Sequence, residues 1–579
     1  MAETSAIQAK RGEEFPRDFT RHVTDLGDWS QLEPLFDDLA SQIRMIELPE
    51  HLRQWLRRQS ELDAVIDEEY ARRYIAMTCQ TDDKEREAAY LHYVENILPK
   101  IKPWHDKIAR LYLECPAREA LDRDWLRVHD RALQNQVELY REENIPLQTE
   151  DQKLGNEYQK ISGAMTVMWE GEEKTLQQMA VYTEDADRGV RERAWRLVAE
   201  RRLADRDAIN AVFAKLIDLR TRMARNAGFA NFRDYQHRAY NRFDYTPEDC
   251  LTFHRAIEQE VVPRLAAQRR VRREKLKLER LRPWDLSVDV DGKAPLKPFS
   301  AAEDLAQRCG AIFADLGPTL AAQFQKMRDL GLLDLESRKG KAPGGYQYTL
   351  EEVRLPFIFM NAAGTHRDVE TLLHEGGHAF HAFAARDQEI LTYRSAPIEF
   401  CEVASMAMEL FGMKHIERFY PDEGDARRAR RRHLEQILSI FPWIATVDAF
   451  QHWIYLNPEH TVAEREAEWL RLEERFDPEI DWSGLDAELR NQWQRQLHIF
   501  LHPFYYVEYG IAQLGALQIW LKFRREPRKA LEDYLNGLAL GGSRPLPELF
   551  AAAGIRFDFS AATLAPVMQA IEEELASLN

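Results

Sequence analysis

The stretch from Thr365 to Ala385 holds two consecutive glycines, Gly376 and Gly377, inside what its other residues require to be a helix. Thr365 is a candidate N-cap, and Asp368 three residues on stands in the place of the capping-box acid. Val369, Leu372, Leu373, Phe380 and Phe383 then recur as one apolar face. His374 and His378, four apart, project from one side of that helix a single turn from each other. Each glycine inside a helix costs about 1 kcal/mol relative to alanine. A chain that keeps both must bring something close to the backbone there. A neighbouring helix and a substrate strand both satisfy that requirement.

His374-Glu-Gly-Gly-His378 is an H-E-x-x-H motif. Two neutral imidazoles at i and i+4 reach one tetrahedral Zn²⁺ without bending the helix, and Glu375 between them is placed as general base toward a water at that ion. A catalytic zinc wants a third protein ligand, and His381, Glu399 and Glu402 compete for it. Families that use a third histidine insert a glycine turn first, H-E-x-x-H-x-x-G-x-x-H, and position 381 is His where that scheme needs Gly. The next predicted helix, Ser395 to Leu410, opens with Pro397 near its first position. It carries Glu399, Glu402, Met406 and Glu409 as one stripe between Phe400, Val403, Ala404 and Ala407. Carboxylates buried in such a helix must be paired or bound to metal. A mid-helix ligand is better fixed than one in the first turn, which selects Glu402, with Glu409 available to orient a ligand histidine.

Around this centre the chain reads as helix after helix. Leu32, Leu35, Phe36, Leu39, Ile43 and Ile46 keep a period near 3.6, as do Leu91, Val94, Leu98 and Ile101, with Pro99 a predicted kink. A small hairpin is expected where Met165–Trp169 and Gln178–Tyr182 flank Glu-Gly-Glu-Glu. Helices resume over 185–225 and 247–280, the second run with a kink at Pro263, and again over 300–332. Arg282-Pro-Trp-Asp285 is expected to be a loop or short strand. Ser337 to Tyr346 reads as a turn-rich loop in which Gly344 and Gly345 permit closure over a substrate. Leu355 to Asn361 reads as a short strand that Pro356 demotes to a sheet edge, available for pairing with an extended peptide. The architecture is mainly α with a β patch beside the site. Residues 1–30 form an arm, 31–200 a helical lobe and 201–579 the domain carrying the motif.

The net charge of −18 argues against nucleic acid as a general partner. The basic run Arg427 to Arg432 reads as a solvated helix face. Five scattered cysteines with no C-x-x-C suit a reducing compartment. Neither a signal-peptide core nor an apolar run of membrane-spanning length is present, so the expected location is the cytoplasm, with no membrane partner. The oligomeric state carries no signal.

Together these residues resemble the thimet oligopeptidase and oligoendopeptidase F family of zinc metallopeptidases, with a likeness to its bacterial oligoendopeptidase branch. The resemblance rests on the H-E-G-G-H helix with Glu402 in Cys-Glu-Val-Ala-Ser. It extends to Arg282-Pro-Trp-Asp285, Pro343-Gly-Gly-Tyr346, Pro356-Phe-Ile-Phe-Met-Asn361 and Pro503-Phe-Tyr-Tyr-Val-Glu-Tyr-Gly510. It implies two helical lobes around a deep channel, one zinc on the channel floor, and endopeptidase action on oligopeptides, with Gly344, Gly345 and Tyr346 near the substrate. It also implies a histidine on a loop and tyrosines on the following helix as transition-state donors: His498, Tyr506 and Tyr509, with His502 and Tyr505 as neighbours in competition. Two alternatives remain at this level. One is a zinc carboxypeptidase on a similar helical body; the other is a peptide-binding protein with a degenerate metal site, against which the intact Glu375 speaks.

Overall fold

Prolines set the points at which the predicted helical runs break. Pro99 does not kink a helix but opens one: Lys84–Asn96 ends, and Leu98–Glu114 begins with Pro99 in its first turn. Pro263 does the same between Pro247–Glu260 and Val262–Lys275. In the first turn the missing N–H has no intrahelical partner to lose. The computed structural model describes residues 8–342 and 344–578. Residues 1–7 of the predicted arm, Pro343 of the Pro-Gly-Gly-Tyr motif, and Asn579 lie outside the described residues.

The described chain is mainly helical with two small sheets. The helices that matter for the site are α1 (Pro49–Cys79), α2 (Phe232–Ala239), α3 (Pro247–Glu260), α4 (His366–Ala385), α5 (Ile398–Met413), α6 (Glu423–Leu456), α7 (Leu497–Leu501) and α8 (Tyr506–Arg525). The strands are β1 (Thr166–Trp169), β2 (Glu172–Thr175), β3 (Leu333–Glu336), β4 (Tyr346–Leu350) and β5 (Leu355–Ala362). No described helix is long and apolar enough to cross a membrane.

The hairpin forms with a tighter turn than expected. Glu170 and Gly171 both have positive φ (52° and 87°), the requirement of a two-residue hairpin turn. Such a turn pairs β1 at once with the polar Glu172–Thr175. The expected second strand, Gln178–Tyr182, instead lies in a 3₁₀ turn. Pro283–Asp285 is likewise 3₁₀ and not a strand.

The three-stranded sheet has the order β3-β5-β4, with β3 parallel and β4 antiparallel to β5. The expectation that Pro356 marks an edge is therefore wrong: β5 is the central strand. Pairing with β3 begins only at Leu333 opposite Ile358, so Pro356 has a strand on one side alone, where it faces Thr349 of β4. The sheet margin beside the motif helix is β4, whose Tyr346 and Tyr348 rings pack against Tyr74 of α1.

One apolar core gathers residues from Val23 to Leu126 together with Ile390 and Tyr393. The segment between α4 and α5 thus plugs into the N-terminal helices, and the Tyr393 hydroxyl donates to the Trp125 carbonyl at 2.6 Å. The larger core runs from Ala71 to Ile571 and encloses α4, α5 and α8. The basic run lies on α6, where Arg427, Arg428, Arg430, Arg431 and Arg432 pair with Glu423, Asp425, Glu417, Glu435 and Glu184. It is an ion-paired helix face.

Candidate metal centre

The motif helix begins as its sequence requires. Thr365 and Asp368 form a reciprocal capping box, the Thr365 backbone N–H donating to Asp368 Oδ2 at 2.8 Å. The two glycines are explained by neighbours and not by a substrate. A Cβ on Gly377 would stand 2.5 Å from the Ser405 Cα and 2.6 Å from the Ala404 carbonyl oxygen, both backbone atoms of α5. A Cβ on Gly376 would meet the Phe313 ring at 2.8 Å. Gly377 therefore lets α5 cross α4 in direct backbone contact, one residue before His378. That crossing brings Glu402 to the two histidines.

Glu402 Oε2 lies 3.3 Å from His374 Nε2 and 3.7 Å from His378 Nε2. The ligand atoms of His374, His378 and Glu402 all fall within 4.8 Å of one another. Donors at about 2.0–2.2 Å from a tetrahedral ion stand roughly 3.3–3.6 Å apart, so nitrogen, nitrogen and oxygen here fit a zinc in type and spacing. Two of the three donors are oriented by a further side chain. His374 Nδ1–H donates to Glu409 Oε1 at 2.6 Å, which turns Nε2 toward Glu402. Ser405 Oγ donates to Glu402 Oε2 at 3.0 Å. Glu399, the competitor, is used elsewhere: it accepts from the Tyr245 hydroxyl at 2.7 Å. His381 is buried beside Phe400, and burial holds its pKa down at about 3.

The electrostatics separate the roles. Burial pushes the Glu375 carboxyl up to about 7, with Glu402 adding to the shift and His374 and the Gln347 backbone N–H opposing it. Burial alone would depress His374, but hydrogen bonds and charge from Glu402 and Glu409 outweigh it and raise the ring. Burial lowers His378 to about 4, a ring that is neutral at neutral pH. A base poised near 7 beside neutral imidazole nitrogen is the arrangement that proton transfer at neutral pH needs.

His498 lies on the short helix α7 and not on a loop, and the following helix starts at Tyr506. The Gln496 amide N–H donates to His498 Nδ1 at 2.7 Å, so the neutral ring carries its proton on Nε2. Burial lowers its pKa to about 4. Its ring stands 5.0 Å from Tyr506, 5.8 Å from Tyr505 and 5.8 Å from Tyr509. The tyrosines differ in what they feel. Burial raises all three; Glu402 raises Tyr505 and Tyr509 further, whereas Tyr506 is influenced by Trp443 and Arg495.

On the opposite side, Gly344 has φ +98° with open space around it, and Asn361 Nδ2 donates to its carbonyl at 2.9 Å. A Cβ on Gly345 would meet the Phe359 carbonyl oxygen at 3.4 Å. The Tyr346 ring stacks on Phe359 at 4.7 Å, and its hydroxyl hydrogen-bonds Thr78 Oγ1 at 2.6 Å. With that side chain committed, β4 has its backbone to offer at this point.

Sequence reasoning missed the residues that hold the donors in place. Buried Arg220 donates to the Ile499 and Phe500 carbonyls of α7 and to the Tyr455 hydroxyl. Buried Arg242 donates to Glu508 Oε1 and to the Phe504 carbonyl, both at 2.6 Å. Phe504 has φ +68°, and its backbone N–H donates to Gln451 Oε1 at 2.8 Å. Burial among apolar neighbours is the signal for such arginines, and a chain with 79 Lys and Arg residues hides it.

A family model described as Peptidase family M3 matches residues 181–568, and one described as Peptidase M3 N-terminal domain matches residues 21–140. Oligopeptidase PepF of Bacillus subtilis (strain 168) is 23% identical over 385 residues, 62% of this chain and 55% of that protein. The chromosomal oligoendopeptidase F of Lactococcus lactis subsp. cremoris is 25% identical over 268 residues, 44% of this chain and 42% of that protein. The chain thus spans about half the length of these curated relatives. A solved structure of PZ peptidase A with an inhibitor is 29% identical, covers 97% of this chain and 99% of its own, and superposes with a TM-score of 0.88.

Proposed function

The chain belongs to peptidase family M3, and from that premise we propose that it is a zinc-dependent endopeptidase cutting internal bonds of short oligopeptides. The observation that carries this reading is the convergence of His374, His378 and Glu402 with Glu375 beside them. His374, His378 and Glu402 would hold one zinc at this centre, with Glu409 fixing the His374 ring. When bound, zinc supplies Lewis-acid polarisation of the scissile carbonyl and lowers the pKa of water. Glu375 takes the proton of the attacking water and passes it to the leaving amine. His498 Nε2–H and the Tyr509 hydroxyl are the donors to the developing oxyanion, with Tyr505 hydrogen-bonded to Tyr509 and Tyr506 the alternative on the same helix. The backbone of β4, next to Glu375, pairs with the extended substrate, and the Gly344-Gly345 turn bounds it. Helical lobes on either side of this floor would form the channel that admits unfolded peptides. Five cysteines without a disulfide suit action in the cytoplasm.

The test is mass spectrometry of a mixed peptide pool incubated with wild-type protein and with Glu375→Gln, both zinc-loaded. Internal cleavage by wild type, and near-silence from a variant that still holds zinc, are expected. Equal cleavage by both removes Glu375 as the base; stepwise loss of C-terminal residues marks a carboxypeptidase; silence from both favours a binding protein.

A further inference from the structure

A second cluster of metal-ligand type lies behind the Phe504 turn, apart from the centre above. His237 of α2, Cys250 of α3 and His452 of α6 bring one donor atom each within 4.8 Å of one another. All three are buried, at 4%, 1% and 3% exposure. On two of the helices the ligand-type residue has a polar companion four residues away on the same face: His254 beside Cys250 on α3, Asp448 beside His452 on α6. The polar valences of the cluster are left open. His237 Nδ1, His452 Nδ1 and Asp448 Oδ1 are buried without a hydrogen-bond partner. His452 Nε2 lies 3.3 Å from Asp448 Oδ2, the same spacing as His374 from Glu402. His254 Nε2 stands 2.8 Å from Asp448 Oδ2, in place to orient that carboxylate.

Unpartnered imidazole nitrogen and carboxylate oxygen are costly in a core, and one cation satisfies several of them together. We propose that His237, Cys250 and His452 hold a divalent ion of the zinc type, with Asp448, itself held by His254, as the orienting partner of the His452 ring. Thiolate and imidazole donors select zinc over the hard cations, and the full burial of all three residues suits a structural role. Binding releases the Cys250 thiol proton to solvent as the metal–sulfur bond forms. The thiolate and the Asp448 carboxylate then neutralise the ion. The nearest cation, Arg242, stands 3.4 Å from His237 Nε2 and has its own counterion in Glu508.

The position gives the ion a task. The Phe504 ring packs edge-on against His237 at 5.7 Å and His452 at 5.4 Å. Fixing those two imidazoles fixes the strained turn from which Tyr505 and Tyr509 are presented. The residues concerned are positioning residues, and the site stands independently of the peptidase reading.

Metal content of the full-length chain tests the proposal, together with spectra of the cobalt-loaded protein. We expect about two equivalents of zinc per chain in wild type, about one in His374→Ala/His378→Ala, and about one in Cys250→Ser. A thiolate-to-cobalt charge-transfer band in the near ultraviolet is expected in wild type and in the double variant, because a centre of two imidazoles and a carboxylate cannot produce it. The band should vanish in Cys250→Ser. If Cys250→Ser fails to fold, the double variant decides alone: one retained metal with the band supports the site. No metal and no band in the double variant overturns it. One retained metal with the band, in a wild type that cleaves no peptide, would sustain this site while the peptidase reading fails.

Discussion

Gly377→Ala is the substitution with the most legible consequence. The new Cβ would lie 2.5 Å from the Ser405 Cα and 2.6 Å from the Ala404 carbonyl oxygen. Ordinary contact needs about 3.5–4.0 Å, so α5 must withdraw from α4 by about 1 Å. Both obstructing atoms are backbone, which leaves no rotamer to absorb the shift. The gain of about 1 kcal/mol in helix propensity offsets part of an overpacking cost of about 1–3 kcal/mol, so global stability should change little. The site should not be so tolerant, because ligand distances are held to about ±0.2 Å and Glu402 travels with α5. We expect zinc affinity to fall at least tenfold and kcat/KM by roughly 10²-fold. Gly376→Ala meets only the Phe313 ring, which can tilt, and should be the milder change. Chelator-competition titration of zinc, with a urea denaturation curve on the same samples, measures the two effects separately. Wild-type zinc affinity in a folded Gly377→Ala protein would refute the claim that helix approach sets the ligand geometry.

Removing the partner of His374 Nδ1 in Glu409→Ala should weaken zinc binding about 10–100-fold, again read by chelator competition. Tyr509→Phe and His498→Ala should each lower kcat by about 10²–10³ with little change in KM, whereas Tyr506→Phe, whose hydroxyl is coupled to Trp443 and Arg495, should lose much less; steady-state kinetics on one internally quenched peptide compares them, and equal losses at 506 and 509 would contradict the assignment. Burial raises Glu473 to about 8, reinforced by Asp477. The folded state therefore holds a proton that the unfolded state releases near 4.5, so this group's contribution to stability is complete below that pH and is lost as pH rises through about 8. Urea midpoints at pH 6 and pH 9 should fall less in Glu473→Gln than in wild type.

The parts of the site that were legible in the sequence are those whose physical signal is local. Thr365, Asp368 and the apolar face of α4 define a helix by themselves, and that helix aligns His374 with His378. The fold class was legible for the same reason, since a 3.6-residue period repeats along the chain. Strands β3 and β4 left no such trace: each is four or five residues long and pairs with a distant partner. Pro356 misled because an edge rule assumes pairing along the whole strand, and β3 joins β5 only beyond it. Gly377 announced a close approach without identifying the neighbour, because Ala404 and Ser405 reach it through a helix crossing that no local pattern encodes. Glu399 and Glu402 posed one question, a carboxylate in an apolar helix, and the fold gives two answers. A tyrosine hydroxyl satisfies the first and a pair of imidazoles the second. His237 and His452 pose the same question on helices α2 and α6, and there protein hydrogen bonds leave ring nitrogens unanswered. A polar group that the protein itself cannot satisfy is where a bound ion has the most to contribute.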